Sequence, residues 1–193
     1  LSTWSPSDLP DRPAPSSDAA AASFSALFIV RDTAYVHVRG AGLWMIEAGR
    51  FERVAATGRF ANADVQVLLP HGDAETPSLL AITSSGAFFE ITTTGTTWAL
   101  DGPVEDWLEA HGLIHGTRLR DGSLALATRD GGLIRTTATG QRIHVLDTGT
   151  GLQTDVVNHV FADRAGSLWL SLGDGIARVD ASAPFSYFDE SLG

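Results

Sequence analysis

The 193-residue chain has no cysteine, which excludes a disulfide framework and any thiolate metal site. Compartment stays open on this count, because cysteine-free domains occur on both sides of the membrane. Lysine is absent as well: all thirteen basic residues are arginines, scattered singly from Arg12 to Arg178. Against a formal net charge of −10, they form no basic stripe for a nucleic-acid backbone or an anionic membrane surface. Long apolar runs are missing too. Ala26 to Val30 is among the longest, far short of the ~20 residues that span a bilayer. Leu1 to Trp4 carry neither an initiator methionine nor a basic leader, which reads as a mature chain or an excised fragment.

What is present describes a folded, strand-rich chain. Hydrophobic residues make up 44% and charged residues 19%, a balance that supports a packed core and argues against an acidic disordered tail. Residues 1–25 hold Pro6, Pro10, Pro13 and Pro15, a density that reads as a linker or the edge of a preceding unit. From Leu27 onward, short β-branched and aromatic runs alternate with glycine or aspartate turns. One helical exception stands out at Val104 to Glu109, where Val104, Trp107 and Leu108 share a face.

The runs repeat. Units of the form strand, turn, Gly-led strand, turn, strand begin at Ala34, Ser78, Ser123 and Ser167, and their glycines Gly42, Gly86, Gly132 and Gly175 lie 44, 46 and 43 residues apart. That period matches one β-propeller blade of four antiparallel strands. The chain must reverse just before each glycine, so these positions call for positive φ or close backbone approach. The fold expected is therefore all-β: a propeller segment of about four blades of four-stranded antiparallel sheet, part of a larger ring. Blade boundaries fall near 26–60, 61–102, 103–148 and 149–188, with 189–193 starting a following segment. Because blades stack on both faces, consecutive apolar residues such as Leu168, Trp169 and Leu170 are expected.

The fourth unit carries a recognisable pattern. Gly151 and Leu152 precede Asp155 to Phe161; Asp163 and Gly166 then frame a turn before Ser167, Leu168 and Trp169, and Gly175, Ile176 and Arg178 close the unit. This resembles the two-component regulator propeller repeat. The third unit keeps Asp121 to Leu124 and Gly132 to Arg135, but has Ala125 where the fourth has Trp169, and Leu119 where it has Asp163. The resemblance is specific over residues 112–188 and inferential over 34–100. It implies the periplasmic or extracellular sensor region of a membrane-bound bacterial histidine kinase or nucleotide cyclase.

Individual residues divide into structural and surface candidates. Gly42, Gly86, Gly132, Gly175 and Gly166 are repeat positions; Asp163 is expected to accept backbone N–H groups within its own turn. Trp169 is expected to pack between blades, at a cost of about 3 to 5 kcal/mol on truncation if buried. Loops between second and third strands, with links between units, collect on one propeller face, which makes Arg39, Ser85, Asp130, Asp147, Asp155 and Asp174 the candidate ligand surface. No metal site is expected, since Gly112 and Gly116 interrupt the His111 and His115 pair as a helical motif. No cofactor motif occurs: Gly40 and Gly42 lack a third glycine and a following helix. No Gly-x-Ser-x-Gly elbow occurs either.

The leading expectation is non-catalytic ligand sensing, with a small molecule or glycan, other blades and a second protomer as partners. A protein-interaction scaffold and a carbohydrate-active enzyme are the alternatives.

Overall fold

The computed structural model describes Leu9 and residues 23–54, 63–92, 97–100 and 103–180. The chain divides into two compact units, Leu1–Leu100 and Asp101–Gly193. In the first unit, β1 (Ser23–Val30), β2 (Thr33–Arg39), β3 (Gly42–Glu47) and β4 (Arg50–Arg53) form one sheet, and β5 (Val65–Gly72), β6 (Pro77–Thr83), β7 (Phe88–Thr92) and β8 (Thr97–Leu100) form the next. The second unit opens with helix α1 (Glu105–His111). A sheet of β9 (Leu113–Arg118), β10 (Leu124–Thr128), β11 (Leu133–Thr136) and β12 (Arg142–Leu146) follows, then a 3-10 turn at Thr148–Thr150. Strands β13 (Val157–Ala162), β14 (Ser167–Leu172) and β15 (Ile176–Asp180) complete the described part. Within each sheet, strands adjacent in sequence pair antiparallel. These consecutive meanders are propeller blades, and the all-β propeller segment is what the period predicted.

Burial explains the composition of each strand. All five residues of β10 are buried, so its run of leucine and alanine needs no polar face. Ala125 and Ala127 of β10 share one core with Leu168, Leu170 and Leu172 of β14 and with Val157 and Val160 of β13. In the first unit, Val30 and Leu43 of the first sheet join Leu68, Ala81 and Ile91 of the second. A further core holds Leu9, Val36, Val38, Trp44 and Phe51, so at least Leu9 of the expected 1–25 linker is packed.

The register accounts for the substitution of alanine for tryptophan between units. Ala125 pairs with Arg135, and Trp169 pairs with Arg178, so the two residues occupy one position of the repeat. Ala125 is fully buried and belongs to the core shared with β13 and β14, whereas Trp169 is 42% exposed. An indole at 125 would find that space occupied by the following sheet. No described sheet covers the face of β14 that bears Trp169 and its cross-strand neighbour Phe161, so the inter-blade packing expected of this tryptophan would need a further blade.

The glycine alignment is also refined. The loops joining second and third strands differ in length, closing on the pairs Val38 with Gly42, Ile82 with Phe88, Ala127 with Leu133 and Ser171 with Ile176. Gly86 therefore sits one residue earlier relative to its closing pair than Gly132 and Gly175 do. Gly132 has φ +75°, and a Cβ there would meet the Leu146 carbonyl at 2.2 Å; at Gly175 nothing lies within 4 Å of such a Cβ. Hence only some of the recurring glycines are obligatory.

Strand β1 begins at Ser23, inside the expected linker, and its two-residue turn into β2 uses Arg31 (φ 48°) and Asp32 (φ 64°) between the pair Val30 and Thr33. Two successive left-handed residues make a type I′ hairpin turn. The proline-bearing positions around Trp4, the turn at Thr94 and Gly95, the Trp98 side chain, the run Phe185 to Phe188 and residues 189–193 lie outside what the structure describes.

Candidate functional site

Strand geometry carries the loops between second and third strands and the links between sheets to one end of each unit, where hydrogen bonds tie them together. In the first unit Arg39 ends β2, and its Nη2 donates to Asp64 Oδ1 at 2.6 Å, with both side chains partly exposed. The Ser84 N–H donates to the Asp64 carbonyl at 2.7 Å, joining the next hairpin loop to the same link. Ser85 Oγ lies 2.9 Å from Thr83 Oγ1. Asp64 was not singled out by the sequence, because an isolated aspartate before a strand carries no local signal.

The second unit repeats this device more elaborately. The Arg129 N–H reaches the carbonyls of both His111 and Gly112 at 3.0 Å, and the His111 Nδ1–H donates to Asp130 Oδ1 at 2.9 Å. A Cβ at Gly131 would lie 2.6 Å from His111 Cγ, so only glycine permits the imidazole this close to the hairpin. Trp107, one helical turn earlier, lies against His111 with ring centroids 4.4 Å apart and the ring planes tilted by 44°, and the Arg142 guanidinium lies 5.4 Å from the Trp107 ring centroid. Helix α1 matches the helical face read around Val104 and Leu108, both buried, and it delivers His111 to the rim.

Asp155 and Asp147 organise the following link. The Asp155 carbonyl accepts from the Gly132 N–H at 2.8 Å, while its carboxylate accepts from the Thr148 N–H at 2.7 Å and the Thr148 hydroxyl at 3.1 Å. Asp147 accepts the Thr150 hydroxyl at 3.0 Å in a capping box over the 3-10 turn. The Gly173 N–H donates to the Val156 carbonyl at 3.1 Å, and Asp174 stands exposed in the adjoining loop. Within each unit, then, the expected surface residues share one rim: Arg39 and Ser85 in the first, Asp130, Asp147, Asp155 and Asp174 in the second. Asp147 and Asp155 are largely committed to building it, and Asp130, 65% exposed, faces outward.

At the other end of the sheets three of the turns into second strands are organised by an aspartate. Asp163 Oδ1 accepts from the N–H groups of Ala165 and Ser167 at 2.8 and 2.9 Å. Asp121, two residues further along the equivalent turn, accepts from Ser123 N–H and Oγ. Asp73 accepts from Glu75 and Thr76. These bonds hold all three carboxyls below the usual range, through Trp169 first for Asp163, Ser123 for Asp121 and Thr76 for Asp73. The serines at or next to the start of β6, β10 and β14 then meet a charged third-strand residue: Ser78 donates to Glu90, and Ser123 and Ser167 accept from Arg135 and Arg178.

Two histidines meet between the sheets of the second unit. His115 on β9 and His159 on β13 stack with centroids 3.7 Å apart, and burial, with the second ring, pushes His115 down to about 4. A stacked imidazole pair is a packing element, and no cluster of three metal-ligating side chains occurs among the described residues. No described helix is long and apolar enough to cross a membrane.

No protein-family model and no curated protein sequence matches the chain. Solved structures do resemble it. The extracellular domain of BT3049 from B. thetaiotaomicron, ascribed to the hybrid two component systems, superposes with a TM-score of 0.60 at 14% identity, covering 81% of this chain and 21% of that one. The corresponding domain of BT4673 from the same organism gives 0.56 at 19% identity over the same shares. The WD40 β-propeller domain of Doa1 gives 0.58 at 12% identity, covering 86% of this chain and 53% of that one. The shared property is the propeller fold, and the chain spans about one fifth of the length of each of those two extracellular domains.

Proposed function

We propose that the chain is a ligand-recognition segment of a sensor propeller, facing the periplasm or the cell exterior and acting without catalysis. The observation that carries the reading is the rim of the second unit: its links and hairpin loops are hydrogen-bonded into one edge that carries Asp130, Asp174 and the Trp107 and His111 pair. Carboxylates beside an aromatic pair suit a small polar ligand or a glycan, where ring faces take apolar surface and carboxylates take hydroxyl donors. Its resemblance to extracellular sensor domains supports the same reading. The commitment of Asp147 and Asp155 to backbone and hydroxyl donors favours recognition over acid–base chemistry.

Other blades of the same propeller are proposed as partners for the uncovered face bearing Phe161, Trp169 and Ile176, which are 58%, 42% and 76% exposed. A ligand on the rim would signal by preferring one arrangement of this segment against its neighbours.

Saturation-transfer NMR of the full chain against a panel of neutral and acidic mono- and oligosaccharides tests the proposal. The expected result is at least one binder whose affinity drops tenfold or more in the Asp130→Asn, Asp174→Asn double variant. Binding unaffected by that variant, or absence of any binder across the panel, overturns it.

A further inference from the structure

The concentration of arginine at the turn end of the second unit is a separate matter from the rim. A groove of about 540 Å3 opens there between the β9–β10 turn and the β13–β14 turn. Among its lining residues are Arg118, Arg120, Arg135 and Arg164, facing only two carboxylates, Asp121 and Asp163. In a chain of formal charge −10 with thirteen basic residues, four guanidiniums on one concavity invert the local sign.

Both carboxylates are already engaged. Asp163 uses Oδ1 for two backbone N–H groups and Oδ2 for the Trp169 indole. Asp121 uses Oδ1 for Ser123 and Oδ2 for the Arg135 guanidinium. Arg135 also donates from Nε to Ser123 Oγ at 3.1 Å, so it belongs to the turn lock. Arg120 and Arg164 are different. They belong to turns of two successive sheets, and Arg120 reaches across to donate to the Arg164 backbone carbonyl, which draws the two chain segments together. Both residues are exposed, and both side chains are free of carboxylate partners among the described residues.

We propose that this groove is an oxyanion site, taking a sulfate, phosphate or carboxylate group of a small molecule between the guanidiniums of Arg118, Arg120 and Arg164. Planar guanidinium forks match tetrahedral and carboxylate oxyanions with paired N–H donors, and with no lysine in the chain all the cationic side-chain donors here have this geometry. The site lies at the far end of β10 from the rim, roughly 17 Å away along five residues of strand, so its occupancy is independent of the recognition reading above.

Titrating the full chain with sodium sulfate, sodium phosphate and sodium citrate tests the proposal, with sodium chloride at matched ionic strength as the reference. The readout is two-dimensional 15N NMR including the arginine Nε–H signals. The expected result is saturable shifts confined to Arg118, Arg120, Arg164 and the turn amides of 119–122 and 163–166, with no counterpart in chloride. Which of the three anions saturates first distinguishes an ester-like oxyanion from a carboxylate. Arg120→Gln with Arg164→Gln should weaken binding at least tenfold, whereas Arg50→Gln, on β4 of the first unit, should leave it unchanged; circular dichroism checks that the variants fold. Shifts that do not saturate, that spread over arginines of both units, or that survive the double variant overturn the proposal.

Discussion

The indole Nε1–H of Trp169 donates to Oδ2 of Asp163 at 3.0 Å, so a strand tryptophan and the turn aspartate six residues before it form one unit. Arg178 completes it, its guanidinium 5.5 Å from the indole centroid, from the neighbouring strand. The aspartate thus organises its turn through one oxygen and fixes the exposed tryptophan through the other. Both residues were conspicuous in the sequence; their bond was not.

Titration of Asp163 should report this bond. The indole is the first cause of its lowered pKa, followed by the Ser167 N–H. Trp169→Phe should therefore move the carboxyl back toward the ordinary aspartate value, as followed by carboxyl 13C NMR. Stability linked to Asp163 is present above the unfolded pKa and lost as pH falls through the depressed folded one, and Trp169→Phe should shift that acid loss to higher pH. An unchanged titration would show that the indole bond contributes nothing.

The two equivalent positions 125 and 169 should respond oppositely to size. Trp169→Ala should cost less than the ~3 kcal/mol that marks the lower end for a buried aromatic. Ala125→Trp, forced into a filled core, should cost more than about 3 kcal/mol. Urea denaturation of both variants checks the pair, and equal costs would contradict the one-sided cover of the repeat.

Recurring glycines should likewise separate. Gly132→Ala combines a left-handed backbone with a clash against the Leu146 carbonyl and should cost at least about 2 kcal/mol. Gly175→Ala, with open space around it, should fall within about 0.5 kcal/mol of the parent. Thermal melts suffice to compare them.

His115 should titrate near 4, against an ordinary histidine value of about 6.5. Between those pH values the unfolded chain binds a proton that the folded chain refuses, so stability should be level above about pH 6.5 and decline as pH falls toward 4. His159→Gln, which removes the second cause, should raise the His115 midpoint partway. Histidine ring NMR across pH 3 to 8 measures it, and a midpoint near 6.5 in the parent would contradict the stacked, desolvated pair.

These contrasts also mark what could be read without coordinates. The third and fourth units were legible because glycine-bearing turns punctuate short apolar strands, and the helix at Glu105–His111 because Val104 and Leu108 share a face. Strand β1 was not legible: its turn is Arg31 and Asp32, which lack the glycine or asparagine that signals a two-residue hairpin. Asp121 was read as part of the repeat but its turn role was not, because the turn aspartate moved two residues while the backbone hydrogen bonds around it stayed, Leu119 pairing with Ser123 as Asp163 does with Ser167. The meeting of His115 with His159, and of Arg120 with Arg164, depends on the stacking of successive sheets over 44 residues of chain. No local pattern encodes such pairs.

The Arg31 and Asp32 turn has an engineering consequence. Each of these residues holds a backbone conformation that costs an L-amino acid about 1 kcal/mol or more relative to glycine, and Arg31 also lines the groove of the first unit beside Tyr35. Directed evolution for thermal tolerance should find Asp32→Gly early. The same selection, run with retention of binding as a second criterion, should spare Arg31 if its guanidinium matters to that groove. The hairpin is thus a place where a stability screen and a function screen, applied to one small library, would part company.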